Sequence, residues 1–81
     1  MRSNVQTRMQ ELSPAAKARI LQELKKGDQA RIAELVQVDP SYVKQVLRYR
    51  PRAKSVLAIR IWQTANRILN DRARLTAEMQ Q

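Results

Sequence analysis

Three residues, Gln37, Val38 and Asp39, are all that separates two short apolar-periodic runs, and that spacing constrains the fold more than any other feature of the chain. The first run, residues 29–36, places Ile32, Ala33 and Val36 on one helical face. The second, about 40–48, places Val43, Val46 and Leu47 at i, i+3 and i+4, with Ser41, Lys44, Gln45 and Arg48 on another face. Asp39 before Pro40 is a start signal: the carboxylate caps free backbone N–H groups, and proline at the first helical position gives up only an amide that would lack a partner anyway. Two helices on so brief a connection must cross steeply. The residue at closest approach has to be small, and Ala33 stands near the middle of the first helix, where that contact falls.

This is the pattern of a helix-turn-helix. The run QARIAELVQVDPSYVKQVLR, residues 29–48, resembles the lambda-repressor-like, or Cro/C1-type, helix-turn-helix regulators. It has the leading Gln29, apolar Ile32, small Ala33, apolar Val36, apolar Val38 after the turn, and Val43 and Val46 toward the core. It departs from the family at Gln37, where relatives usually carry glycine in a left-handed turn and another residue costs roughly 1 kcal/mol. It departs again at Tyr49, where many relatives carry glycine. The close match covers about a quarter of the chain, and the helix layout extends it more loosely over residues 13–70.

The resemblance implies an all-α domain of four to five helices around a central helix-turn-helix that binds double-stranded DNA as a transcriptional regulator. Residues 40–48 would then enter the major groove, where Gln45 can pair bidentately with adenine and Lys44 or Arg48 with guanine. Ser41 would touch a base or a phosphate. Gln29 and the amides at the head of its helix would clamp a phosphate. Arg50, Arg52 and Lys54 would hold the flanking backbone, while Tyr42 either contacts phosphate or sugar or packs beside the turn. Family members bind two half-sites as symmetric dimers, which implies a homodimer, because one short helix reads only a few base pairs.

The rest of the chain supplies the packing. Eighty-one residues make one domain with a small core. Residues 1–12 are polar with little periodicity and read as a flexible tail. Ser13 and Pro14 open a helix over residues 14–26, with a stripe of Ala16, Ile20, Leu21 and Leu24; its terminal Lys25 and Lys26 suit either the helix dipole or a phosphate. Asp28 is placed to cap the next helix. After the basic connector 49–52, a longer helix over residues 53–71 repeats Ala58, Ile61, Trp62, Ala65 and Leu69 on one face, with Trp62 as a core anchor. Val56 and Ile59 lie off that stripe, as ordinary exposed apolar residues or a self-association patch. Residues 13–71 are thus expected to form the DNA-binding domain that the resemblance implies, and residues 72–81, with Leu75 and Met79, a weakly helical extension that either frays or pairs with a second chain.

Charge points the same way as the motif. The net charge is +9, and no acidic residue stands between Asp39 and Asp71, whereas Lys44, Arg48, Arg50, Arg52, Lys54, Arg60 and Arg67 do. That block begins on the second helix of the pair and runs through the loop after it, where such a fold meets phosphates. There is no Cys and no His, so neither a zinc site nor a His-activated nucleophile can be assembled, and one glycine cannot build a phosphate-cradling loop. The expectation is a non-enzyme with no cofactor and no small-molecule substrate. No apolar run approaches a bilayer span and no signal segment opens the chain, so a cytoplasmic protein without membrane association is expected. The competing readings are a basic module that binds an acidic protein partner, and a nonspecific nucleic-acid binder.

Overall fold

The computed structural model describes residues 11–79, and all regular structure among them is helical. Helix α1 is Pro14–Glu23, α2 is Asp28–Val36, and α3 is Pro40–Lys44, continued without a break by a π-helical turn over Gln45–Tyr49. Helix α4, Val56–Met79, closes the domain. The small all-α architecture is the one expected. Most of the tail, residues 1–10, and the last two residues of the C-terminal extension lie outside the described residues. No helix among those described is long and apolar enough to cross a membrane.

Local chemistry sets the helix ends, several of them differently from expectation. Ser13 Oγ accepts the Ala16 amide at 3.2 Å, with Pro14 at the first helical position. Helix α1 then ends at Glu23 rather than at residue 26, because Leu24 turns extended (φ −65°, ψ 138°) and packs half-buried against the core. Lys25 and Lys26 therefore occupy the turn, and no basic residue lies in the last turn of α1 to serve its dipole. Asp28 does not cap α2. Gly27 holds the capping position in the left-handed region (φ 96°), a conformation that glycine adopts without strain. Asp28 is instead the first residue of α2, and its carboxylate accepts from the Lys25 amide at 2.7 Å and from the Arg72 guanidinium at 2.8 Å.

The core is apolar throughout. Helix α2 contributes Ile32, Ala33 and Val36; α3 and its π turn contribute Val43, Val46 and Leu47; α4 contributes Ala58, Ile61, Trp62, Ala65 and Leu69, the full stripe read from its periodicity. Helix α1 gives only Ile20 to the buried set. Leu21, assigned to its stripe, is 45% exposed. Helix α4 begins at Val56 rather than Ala53, where Ser55 Oγ accepts the Ala58 amide at 3.1 Å, and it runs eight residues beyond Asp71. Leu75 and Met79 in those added turns are exposed, so burial does not hold them. The Arg72–Asp28 ion pair ties the start of this segment to the head of α2.

Burial of the Asp28 carboxylate disfavours its charge, but the Lys25 amide, the hydrogen bond from Arg72 and the charges of Arg72 and Lys25 outweigh that and hold it below the ordinary aspartate range. A carboxylate with a depressed folded-state pKa adds stability that is fully present above the unfolded value and is lost as pH falls through the folded one. Asp28→Asn is expected to cost about 1–3 kcal/mol near neutral pH, with the gap narrowing as pH falls below the ordinary aspartate range and the parent loses the charge as well. Thermal midpoints of both proteins across that range check this, and a constant gap at all pH values would contradict it. A second expectation concerns Gln37, whose backbone is left-handed (φ 66°, ψ 52°). Gln37→Gly should stabilise the fold by about 0.5–1 kcal/mol in urea unfolding, by removing the side-chain clash with the backbone.

Candidate nucleic-acid interface

The residues singled out for recognition are positioned by the reversal between α2 and α3. The Ala33 carbonyl accepts both the Gln37 amide (2.7 Å) and the Val38 amide (3.0 Å), which closes α2 and turns the chain back. Val38 packs half-buried against the core, and Asp39 then caps α3. Its carboxylate accepts from the Ser41 amide and the Ser41 hydroxyl, both at 2.8 Å, and these two bonds lower its pKa against a small opposing desolvation.

Helix α3 and its π turn divide cleanly into an inner and an outer edge. Val43, Val46 and Leu47 are 0–1% exposed, while Lys44, Gln45 and Arg48 are open to solvent. The Gln45 amide is shared between the Ser41 and Tyr42 carbonyls, and the Arg50 amide reaches the Gln45 carbonyl at 3.0 Å, an i to i+5 bond. This wider turn extends the helical path from Lys44 to Tyr49 and sets where Arg48 and the exposed Tyr49 emerge. Sequence periodicity does not reveal it, because three- and four-residue spacings account for the buried positions equally well.

The remaining members fall around this edge in different ways. Ser41 is exposed, but its hydroxyl proton is directed at Asp39, which leaves the oxygen as an acceptor and makes a phosphate, itself an acceptor, the poorer match. Tyr42 packs half-buried against the core. Gln29 sits half-buried at the head of α2 and lines a cleft of about 250 Å³ together with Arg48, Lys25 and Lys26, so the fold brings these polar groups together. Exposed Leu21 lines the same cleft. Arg50, Arg52 and Lys54 stand exposed on the following loop, where the Ala53 amide closes a turn onto the Arg50 carbonyl at 3.1 Å. Arg60 and Arg67, from the same acid-free stretch, line a different groove, between α2 and α4.

One residue that holds this loop was not legible in the sequence. Lys17 on α1 donates to the Pro51 carbonyl at 2.7 Å and to Glu11 at 3.2 Å, and its ammonium lies 5.2 Å from the centroid of the Trp62 ring. Its side chain is only 12% exposed. A lysine on the polar side of an amphipathic helix gives no such signal, because the contact joins residues 34 positions apart. Lys17 thereby fixes the basic loop to α1 and the core tryptophan. Comparison of the chain with protein-family models, with curated proteins and with solved structures finds no match.

Lys17→Ala is expected to lower stability by about 1–2 kcal/mol through the lost cation–π and hydrogen-bond contacts. Urea unfolding followed by the fluorescence of Trp62, the single tryptophan, measures this directly. Stability equal to the parent's would mean that the contact does not hold the loop.

Proposed function

We propose that this chain is a sequence-specific double-stranded DNA-binding regulator of transcription, acting in the cytoplasm as a symmetric dimer, with α3 and its π turn as the helix-turn-helix recognition element. The observation that carries the reading is the outer edge of that element and the loop after it. Lys44, Arg48, Arg50, Arg52 and Lys54 are all exposed there, and among the described residues none of them pairs with a carboxylate. Cations already spent on ion pairs would have to give them up before meeting phosphates. These five need not.

Within that field Gln45 is the neutral group suited to reading a base edge, since its amide offers a donor and an acceptor to adenine. The loop cations would fix position and supply most of the salt-dependent affinity. Gln29, Arg48, Lys25 and Lys26 around their cleft form a second cluster for backbone phosphate, joined to the head of α2. Duplication across two half-sites supplies the specificity that one helix of this length lacks.

Gln45→Ala separates a reader of bases from a merely basic surface. On a preferred duplex it should cost about 1–3 kcal/mol of binding, and much less on random duplex, with the fold retained because the side chain is exposed. Alanine at Arg50, Arg52 or Lys54 should instead weaken all duplexes by a similar factor and reduce the salt slope by about 0.9 for each phosphate lost. Affinity titrations over a range of salt measure both. A Gln45→Ala protein with the parent's ratio of preferred to random binding would remove Gln45 from the reading.

A further inference from the structure

A groove between α2 and α4 remains outside that reading. About 420 Å³ of it is lined by Arg31 and Leu35 from α2 and by Arg60, Thr64, Arg67, Ile68 and Asp71 from α4, with no residue from α3 or its loop. It continues past Ile68 along α4 into a second hollow of about 330 Å³ that reaches Leu75 and Met79, the two sharing Arg31, Ile68 and Asp71. From Arg60 to Met79 this is about 28 Å of helix at ~1.5 Å per residue. Its apolar lining is Leu35, Ile68, Leu75 and Met79, of which Leu35, Leu75 and Met79 are 53%, 54% and 84% exposed and Ile68 is half-buried. Its basic lining includes Arg31, Arg60 and Arg67, which among the described residues pair with no carboxylate, while Asp71 faces Arg74 at 3.7 Å.

We infer that this groove docks an acidic amphipathic helix of another protein. Exposed apolar side chains with unpaired arginines among them match a helix that carries an apolar stripe flanked by carboxylates. A second copy is the poorer occupant. Its α4 carries Asp71 and Glu78 on one side of the Ile68, Leu75 and Met79 stripe but Arg72 on the other, which the groove arginines repel. A phosphate backbone is the poorer occupant, because it gains nothing from Leu35, Leu75 and Met79 and is repelled by Asp71. The inference does not depend on the DNA-binding reading, since none of the groove residues belongs to the recognition element.

The test uses the full chain and a fluorescein-labelled synthetic helix of about 20 residues, with leucine at i, i+3, i+4 and i+7 and glutamate at the flanking positions. A scrambled peptide of identical composition and a random duplex are titrated in parallel by anisotropy. The amphipathic peptide should bind at least about tenfold tighter than the scrambled one. Arg60→Glu with Arg67→Glu, and separately Leu35→Gln, should each weaken the amphipathic peptide by about tenfold or more, while Arg52→Glu on the recognition loop changes it by less than about twofold. Arg60→Gln is the milder companion variant, and thermal melts of each protein establish that the fold is kept. Equal binding of both peptides, no binding of either, or an equal loss from Arg52→Glu overturns the inference. So does a loss of duplex binding in the Arg60→Glu, Arg67→Glu protein as large as its loss of peptide binding, which would assign the groove to nucleic acid.

Discussion

The reversal after α2 is the constraint on which the rest of the molecule depends. One carbonyl, that of Ala33, takes the amides of both Gln37 and Val38, and it can do so only because Gln37 enters the left-handed region. Everything downstream follows from that bend. Val38 returns to the core, Asp39 is delivered to the start of α3, and Val43, Val46 and Leu47 are pressed inward, so that Lys44, Gln45 and Arg48 have nowhere to go but outward. The strain at Gln37 is therefore a local cost offset by the burial of three aliphatic side chains, each contributing roughly 1.5–3 kcal/mol when fully removed from water.

A chain this small has little core to spare, and it uses ion pairs and a cation–π contact where apolar area runs out. Helix α1 buries a single isoleucine, yet it is held through Lys17 against Trp62 and the Pro51 carbonyl, and through Arg19, which donates to Asn70 of α4 at 3.4 Å. The far part of α4 is tied down by Arg72 on Asp28. Among the described residues, Trp62 Nε1 and one Arg72 nitrogen are buried without a protein hydrogen-bond partner.

What was legible in the sequence was what periodicity and capping encode. The five-residue stripe of α4, the inward set of α3 and the caps at Ser13 and Asp39 follow from spacing and residue type alone. The early end of α1 was not legible, because Leu24 continues the apolar pattern while its backbone leaves the helix to reach the core. Asp28 reads as a cap by residue type, but Gly27 takes that position and frees the carboxylate for Arg72, 44 residues away. The same limit hid Lys17 and the split of the basic stretch, in which Arg60 and Arg67 turn to the α2–α4 groove and the other five cations stay with α3 and its loop. Contacts between distant segments carry no local signature. For the candidate site, the outer edge of α3 was readable as an edge, whereas the π turn and the Ser41–Asp39 hydrogen bond that redirects the serine hydroxyl were not.

The central claim is that the outer edge of α3 reads base sequence, and selection from a random duplex pool tests it most directly. Repeated binding and amplification should enrich one short motif, arranged as two inverted copies whose centres lie about one helical turn of DNA apart, or a multiple of it, as a symmetric dimer requires. A pool that stays random after enrichment, while still binding in low salt, would contradict the account and leave only a basic surface that holds any duplex.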